Sequence, residues 1–187
     1  MSTIKYEIEF FSNWHCGSGL AAGADVDALA IKDKNGLPYI PGRTLKGLIR
    51  DAATALSVDE DTLNNIFGVS GEKDNHKTAC SFFGNATLPS AEYQYIVEQR
   101  LVSQLYQTFA STRIDEDGIA KDNTLRKIET VVPCKLESEI LNVPEGSEKT
   151  IEEAISFIKR MGTGRNRGYG RCKMAIIRII KEEAKEV

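Results

Sequence analysis

The sequence predicts an α+β domain of the ferredoxin-like or RRM-like class, in which an antiparallel sheet is backed by two helices. Residues 4–10 alternate between apolar and polar side chains, as a half-buried strand does. Residues 43–56 and 150–158 carry apolar side chains at helical spacing, and residues 127–142 are rich in β-forming residues. With one short strand after the first helix and one at the C-terminus, the order of elements is β-α-β-β-α-β.

The N-terminal half follows this order with one long loop. The first strand, Ile4 to Phe10, is followed by a glycine-rich stretch in which Asp33 to Gly36 has the chemistry of a tight turn. The first helix is entered through the Pro-Gly pair at 41–42, and a second helical pattern ends at Gly68. Residues 81–89 then predict the second, short core strand.

The C-terminal half contains an insertion between its core elements. Residues 91–110 have an amphipathic, helix-like pattern, and the Asp-, Gly- and Asn-rich stretch after them is typical of an exposed excursion. The β-rich segment 127–142 predicts a strand that is bent at Pro133. A capping-box pattern at 150–153 predicts the start of the last helix, and Gly162 predicts its end.

The composition is that of an ordinary globular protein, but its charges are unevenly distributed. The 187 residues are 41% hydrophobic and 27% charged, with a formal net charge of -3, which excludes wholesale disorder and a collagen-like chain. Two short segments, 43–50 and 159–173, are basic and contain no acid. Apolar runs are too short for a membrane span and the N-terminus is unlike a signal peptide, so we expect a cytoplasmic protein with no membrane partner.

The four cysteines are dispersed along the chain. None has a second cysteine at the spacing of a zinc knuckle, which favours reduced, packed thiols. The alternative is a composite metal site, for which the candidate ligands are His15, Cys16, His76 and Cys80. We expect no structural metal.

The most specific motif is GTGRNRGYGR at residues 162–171. Glycine lets the backbone approach a ligand closely, and arginine offers forked donors to phosphate oxygens. The motif is not a dinucleotide-binding fingerprint, because it follows a helix and precedes a strand. A flexible β-turn is the alternative, but such a turn does not call for three arginines. The predicted binding residues here are Gly164, Arg165, Asn166, Arg167, Gly168, Tyr169 and Arg171.

The second motif is LPYIPGRTLKGLIR at residues 37–50, which leads into the first helix. It is not a Walker loop, because Leu48 stands where lysine is required. Basic residues in the first turn oppose the helix dipole, so a bound anion explains them better than stability does. A nucleic-acid strand running between this helix and the 162–171 segment accounts for both motifs. The predicted contacts on the helix are Arg43, Thr44, Lys46 and Arg50.

Together these segments resemble the RAMP superfamily of CRISPR-associated proteins. The matching stretches are HCGSG, LPYIPGRTLKGLIR, FFGNATL, KDNTLRKIETVVP and GTGRNRGYGR, in that order. The proline-glycine-helix segment looks most like the backbone subunits of type III effector complexes. The resemblance implies a ferredoxin-like palm, a guide RNA with a complementary target RNA, other effector subunits, and copies stacked into a filament. It also implies a thumb-like insertion, which we expect at about residues 90–127.

A catalytic carboxylate is a further implication of the resemblance. In the family a loop acid supports metal-dependent cleavage of target RNA, and Asp27 stands at the matching place, with Asp25 as a close competitor. A carboxylate can hold a divalent ion, Mg²⁺ or Mn²⁺, or position the ribose 2′-hydroxyl for attack on its own phosphate. Asp27 is therefore both the expected catalytic residue and the expected metal ligand. In the HCGSG stretch, His15 and Ser18 are further candidate RNA contacts.

Three other functions stay open at this point. One is a purely architectural RNA-binding subunit, which the metal dependence of target cleavage separates from a nuclease. Another is a metal-independent endoribonuclease that matures the guide, with His15 or His76 as general base. The third is a metabolic α+β enzyme with a small anionic ligand, and no residue indicates its substrate.

Overall fold

The computed structural model describes residues 1–21, 26–69, 79–121 and 123–181. The strands are β1 (Ser2–Phe10), β2 (Phe82–Phe83), β3 (Tyr106–Ser111), β4 (Arg126–Val131), β5 (Lys135–Val143) and β6 (Cys172–Lys181). The helices are α1 (Gly42–Ala55), α2 (Glu60–Phe67), α3 (Ser90–Glu98) and α4 (Glu148–Phe157), with short 3₁₀ turns at Val102–Leu105 and Arg165–Arg167. The core sheet is antiparallel in the order β2-β5-β1-β6, which confirms the predicted ferredoxin-like class.

β1 is a central strand of the core sheet. Its alternate residues Ile4, Tyr6 and Ile8 are fully buried, whereas Lys5 lies opposite Glu139 of β5. Alternation along a strand places these two sets of side chains on opposite faces. Burial of each large apolar side chain contributes roughly 1.5–3 kcal/mol, so this pattern fixes which face of β1 points to the core.

The two backing helices each bury one apolar face. α1 buries Leu45, Ile49 and Ala53, and α4 buries Ile151 and Ile155. These positions are four residues apart and share one side of a helix. The prediction of two backing helices is therefore confirmed, although the ends of α4 differ from those predicted. Among the residues that the structure describes, no helix combines the length and apolarity needed to cross a membrane.

α1 begins at a glycine because its first residue lies directly against β2. A Cβ atom at Gly42 would collide with the carbonyl oxygen of Phe83. The amide of Gly42 donates to Asn85 Oδ1 at 2.8 Å, and Pro41 precedes the helix in an extended conformation. The start of α1 is thereby fixed against β2, an edge strand of the core sheet.

The insertion contains a short helix and a two-stranded hairpin. The prediction of one helix over 91–110 is wrong beyond residue 98, since Arg100 has a φ of 56° and Tyr106 begins β3. α3 buries none of its residues fully, whereas β3 pairs with β4 along its whole length, from Tyr106–Val131 to Ser111–Arg126. We call residues 106–131 the hairpin. The thumb-like insertion at about 90–127 stays a prediction.

The segment 127–142 is β-rich as predicted, but it forms two strands in place of one bent strand. β4 ends at Val131 in the hairpin, and β5 begins at Lys135 in the core sheet. Pro133 lies between them and offers no backbone donor to either sheet. The chain therefore passes from the hairpin to the core at this proline.

The bounds of α4 differ from the prediction at both ends. The helix begins at Glu148 instead of at the 150–153 capping box, and it ends at Phe157, before Gly162. Ser2 Oγ donates to Glu148 Oε1 at 2.9 Å, which ties the first turn of α4 to β1. A tertiary contact has replaced the local cap that the sequence pattern indicated.

Candidate nucleic-acid interface

The two basic motifs lie next to each other at one end of the core sheet. A cavity of about 350 Å³ separates the N-terminal half of α1 from residues 162–171, which we call the Gly-rich loop. Arg43 and Thr44 line this cavity from the helix, and Gly162 and Arg165 line it from the loop. Positive groups from two separate elements therefore face one open cleft.

The Gly-rich loop is held by main-chain hydrogen bonds to the segment that follows β1. The amide of Thr163 donates to the carbonyl of His15 at 3.0 Å, and the amide of Gly170 donates to that of Asn13 at 2.8 Å. A Cβ atom at Gly162 would collide with the His15 carbonyl. Glycine is required there because the two backbone segments are in direct contact.

The arginines at the tip of this loop are available for an anion. Gly164 and Gly168, with φ of 76° and 89°, flank the short turn and allow the left-handed conformations at its ends. Arg165, Asn166 and Arg167 are exposed, and neither arginine forms an ion pair with an acid of the described residues. Both arginines are exposed, and the forked N–H donors of a guanidinium suit phosphate oxygens.

Tyr169 joins the Gly-rich loop to the hairpin. Its ring meets Phe109 of β3 edge to face, with centroids 5.6 Å apart. Arg171 has an exposed side chain, while its amide donates to Ser12 Oγ at 2.9 Å and its carbonyl accepts from Phe11 N at 2.8 Å. The loop is thus fixed to the segment after β1 and also contacts the hairpin.

The four predicted contacts on α1 have different surroundings. Arg43 and Thr44 are exposed at the cavity, and Lys46 is half-buried. Arg50 donates from Nη1 to the carbonyl oxygen of Gly68 at 2.8 Å and so holds the end of α2 against α1. One donor of Arg50 already has a structural partner, and its contact with RNA stays a prediction.

His15 is buried and has a structural partner. Only 3% of it is exposed, and its Nδ1 lies 2.6 Å from the carbonyl oxygen of Glu129, which can only accept, so Nδ1 carries the proton. Ser18 Oγ donates to the carbonyl of Leu29 at 3.0 Å. RNA contacts of His15 and Ser18 stay predictions, and His76 lies outside the described residues.

Asp27 lies beside the hairpin. Its amide donates to the carbonyl of Lys127 at 2.9 Å, and its Oδ2 accepts from Lys127 N at 2.7 Å. The next residue, Ala28, bridges to Ile128 of β4 in parallel fashion. The exposed carboxylate of Asp27 is therefore fixed at the edge of the hairpin, whereas Asp25 lies outside the described residues.

A divalent ion at Asp27 would have few protein ligands. Within the described ranges, no three His, Cys, Asp or Glu side chains are grouped so that they could hold a metal. Mg²⁺ usually keeps several waters and binds through one or two carboxylates together with substrate phosphates. The single exposed carboxylate of Asp27 fits an ion held jointly with RNA and does not fit a closed, all-protein site.

Sequence reasoning missed a polar cluster that holds the Asp27 segment on the hairpin. Glu129 Oε2 accepts from the amide of Ala30 at 3.1 Å, and its Oε1 pairs with Lys32 Nζ at 2.8 Å. Lys32 also lies over the ring of Tyr106, 3.9 Å from the centroid. Glu129 is 99 positions from Ala30 and 97 from Lys32, so no local spacing could have indicated the cluster.

The sheet order and the two helices on one face define a ferredoxin-like protein with an added hairpin. The RAMP superfamily profile matches residues 7–173, and the chain belongs to that family. The family indicated by the sequence motifs is thereby confirmed. A search of curated proteins gave no match.

Two solved structures share this fold over nearly the whole of both chains. A chain of Type III-B Cmr-beta bound to cognate target RNA, solved by cryo-EM, gives a TM-score of 0.72 at 11% identity, with 93% of this chain and 96% of that chain covered. A chain of Type III-B Cmr-beta in the apo state gives 0.71 at 14% identity, with 94% and 97% covered. At these identities the likeness shows the fold.

Proposed function

We propose that this chain is a guide-RNA-binding backbone subunit of a type III CRISPR effector complex. The observation that carries the proposal is the convergence of Arg43, Thr44 and Arg165 on one cavity in a RAMP-family protein. A chain of Type III-B Cmr-beta bound to target RNA has the same fold, which supports guide RNA, target RNA and other effector subunits as partners. Copies of the chain stack into a filament along one guide.

RNA phosphates are the anions that this arrangement suits best. α1 has no acid in its first turn, so no carboxylate there opposes an anion beside Arg43 and Thr44, although the amide of Gly42 already donates to Asn85 Oδ1. The arginines of the Gly-rich loop add charge from the other side of the cleft. Contacts of this kind position a strand by its backbone and leave base edges free to pair with a target.

The proposal extends to metal-dependent cleavage of the target RNA at Asp27. The ribose 2′-hydroxyl attacks the adjacent phosphorus, the bond to the 5′-oxygen breaks, and the products are a cyclic phosphate and a 5′-hydroxyl. Mg²⁺ or Mn²⁺ supplies Lewis-acid stabilisation of the phosphate charge when bound. The carboxylate of Asp27, held through Oδ2 by Lys127 N, binds the ion or orients the 2′-hydroxyl. The maturation alternative gains no support from His15, which is buried and donates from Nδ1.

The RNA-binding proposal is tested by the salt dependence of binding to a single-stranded RNA. Replacing Arg165 and Arg167 by Glu leaves RNA phosphates without their cationic partners, so we expect weaker binding. The slope of log affinity against log salt should become shallower by about 0.7 for each phosphate that the protein no longer neutralises. The control is Lys149→Glu with Lys181→Glu, which reverses two exposed charges in the first turn of α4 and at the last residue of β6. These are the ends of the two elements that are not joined by the Gly-rich loop, so this variant should keep the slope. An unchanged slope in the arginine variant would place the RNA elsewhere.

A further inference from the structure

The cavity between α1 and the Gly-rich loop has two linings that phosphate binding does not explain. Ile40, Leu45 and Met161 give it an apolar floor, whereas phosphate oxygens need only positive groups and N–H donors. Asp51 also lines the cavity, and its carboxylate repels a phosphate. Among the described residues no Lys or Arg pairs with Asp51, so a neighbouring cation does not account for it. The cavity therefore offers an apolar surface and a hydrogen-bond acceptor to a group other than a phosphate.

Gly47 leaves space on the helix wall of the same cavity. It lies in the interior of α1, where glycine is destabilising relative to alanine. Apart from the turns of α1 itself, nothing in the described chain lies within 4 Å of a Cβ atom placed at Gly47, so packing does not require glycine here. A ligand that lies directly against the helix backbone does require it.

Three residues of α1 form an ordered series along the cavity. Arg43, Gly47 and Asp51 follow at four-residue spacing and so share one face of the helix, and all three line the cavity. Four residues advance about 6 Å along a helix axis, so Gly47 separates the cation from the acceptor by that distance on each side. With Arg165 on the loop wall, a nucleotide whose phosphate lies at the arginines has its sugar near Gly47 and within reach of Asp51.

The group in this cavity must be one that every nucleotide carries. Under the proposed function, identical copies follow one another along a single guide, so a site for one base would restrict the guide sequence at every copy. The phosphate and the ribose are the parts that all nucleotides share. The arginines account for the phosphate. The ribose suits the remaining linings, because its carbon edge is apolar and its 2′-hydroxyl is a hydrogen-bond donor.

We propose that Asp51 accepts a hydrogen bond from a ribose 2′-hydroxyl and makes this cavity selective for RNA over DNA, an inference that rests on the proposed RNA-binding function. Arg43 and Arg165 hold the adjoining phosphates, and the carbon edge of the sugar lies over the apolar floor. Gly47 gives the sugar room beside the helix. The volume of about 350 Å³ is at the small end of the range for ligand pockets, which suits a sugar with its phosphate.

The carboxylate of Asp51 discriminates because its repulsion of phosphate is the same for both nucleic acids, whereas its hydrogen bond is not. In RNA the 2′-hydroxyl donates to the carboxylate, and a hydrogen bond to an ionised acceptor is stronger than a neutral one. In DNA the 2′-carbon carries no donor, so the repulsion between the carboxylate and the nearby phosphates is not offset. The selection is independent of the base and operates equally at every copy along a guide.

The test compares three labelled uridine decamers by fluorescence anisotropy with the full chain: the ribo, the 2′-deoxy and the 2′-fluoro form. All three have the same bases and the same phosphate charge. The unaltered protein should bind the ribo form roughly tenfold more tightly than the deoxy form, as one hydrogen bond to a charged group allows. The 2′-fluoro form keeps the sugar pucker of RNA but has no donor, so it should bind about as weakly as the deoxy form.

Two substitutions in the cavity and one outside it complete the test. Asp51→Ala should bring the affinities for RNA and DNA within about twofold of each other, mainly because DNA binds more tightly once the repulsion is gone. Gly47→Leu places a good helix former where the sugar lies, and should weaken RNA binding and abolish the preference. Glu152→Ala is the matched control, since it removes one exposed acid from α4 and does not line the cavity. It should keep the preference.

The outcomes separate the ribose site from RNA binding itself. Equal affinities for RNA and DNA in the unaltered protein, or a 2′-fluoro decamer that binds as tightly as RNA, would overturn the ribose site and leave RNA binding standing. A preference that survives Asp51→Ala or Gly47→Leu, or one that is lost in Glu152→Ala, would do the same. An unaltered protein that binds none of the three decamers would overturn the proposed function together with the site.

Discussion

Gly42 and Gly47 lie five residues apart in α1 and have opposite surroundings. A Cβ at Gly42 would collide with the backbone of β2, whereas one at Gly47 would meet nothing. We therefore expect Gly42→Ala to lower the free energy of unfolding by about 1–3 kcal/mol. Gly47→Ala should raise it by about 0.5–1 kcal/mol, because alanine has less conformational entropy to lose. Denaturant unfolding measures both, and equal effects of the two substitutions would contradict the packing of α1 on β2.

Asp27 carries the catalytic part of the proposed function. Asp27→Ala should abolish metal-dependent cleavage of target RNA in the assembled complex and leave RNA binding intact, because the exposed carboxylate bonds only to Lys127 N among the described groups. Asp27→Asn retains an oxygen for that hydrogen bond and removes the charge, so it should also be inactive. The measurement is product formation with and without Mg²⁺ or Mn²⁺.

Two results would change this assignment. Cleavage that survives both Asp27→Ala and Asp25→Ala would show that another residue is catalytic. Absence of metal-dependent cleavage with the unaltered chain in its complex would favour the purely architectural subunit.

From the sequence, the positions that need glycine were easier to predict than the contacts that require it. The glycines of 162–171 were recognisable as a backbone that approaches something closely. The structure shows that Gly162 approaches the His15 carbonyl, part of the protein itself, whereas Gly164 and Gly168 serve the exposed arginine turn. These two uses of glycine look alike in a sequence.

At the scale of elements, α2 begins at a charged cap. The backbone N–H of Thr62 donates to Asp59 at 2.9 Å and holds the pKa of that carboxyl below its ordinary value of 3.8. The ionised cap therefore stabilises the folded state. This contribution is complete above the ordinary pKa and is lost as the pH falls through the lower pKa of the folded state.

Substitutions at Asp59 separate the cap from its charge. Asp59→Asn keeps a capping oxygen but removes the negative charge, so we expect its Tm to be lower than that of the unaltered protein at pH 7. At about pH 2, where Asp59 itself is protonated, this difference in Tm should disappear. Asp59→Ala removes the cap itself and should lower the Tm at both pH values. Thermal unfolding by circular dichroism measures these shifts. A constant difference between Asp59→Asn and the unaltered protein across this pH range would contradict the role of the charge.

The core elements were predictable because burial of one face imposes a period on the sequence. Ile4, Tyr6 and Ile8 show this for β1, and Leu45 and Ile49 show it for α1. The hairpin has no such signal, because its strands are defined by pairing between residues 106–111 and 126–131 and most of β3 is exposed. The side chains of an exposed segment are little constrained by packing, so their pattern says little about which strand the segment pairs with. For that reason the helical pattern of residues 91–110 was misleading.

For the whole molecule, the distribution of charge matters more than its sum. The net charge is -3, yet the cavity at one end of the sheet is flanked by Arg43 and Arg165. A protein with this pattern attracts an RNA strand to one end and repels it elsewhere. The sequence predicted a nucleic-acid strand running between the two basic motifs, and in the structure Arg43 and Arg165 line one cavity. The Glu129–Lys32 pair was not, because only the folded chain brings its members together.

The most direct measurement is to purify the chain from its native host and to sequence the RNA that accompanies it. We predict short RNAs that share a repeat-derived end, and we predict their loss when Arg165 and Arg167 are both replaced by Glu. RNA of random sequence, or no RNA with the unaltered chain, would contradict the assignment of this protein as a guide-RNA-binding subunit.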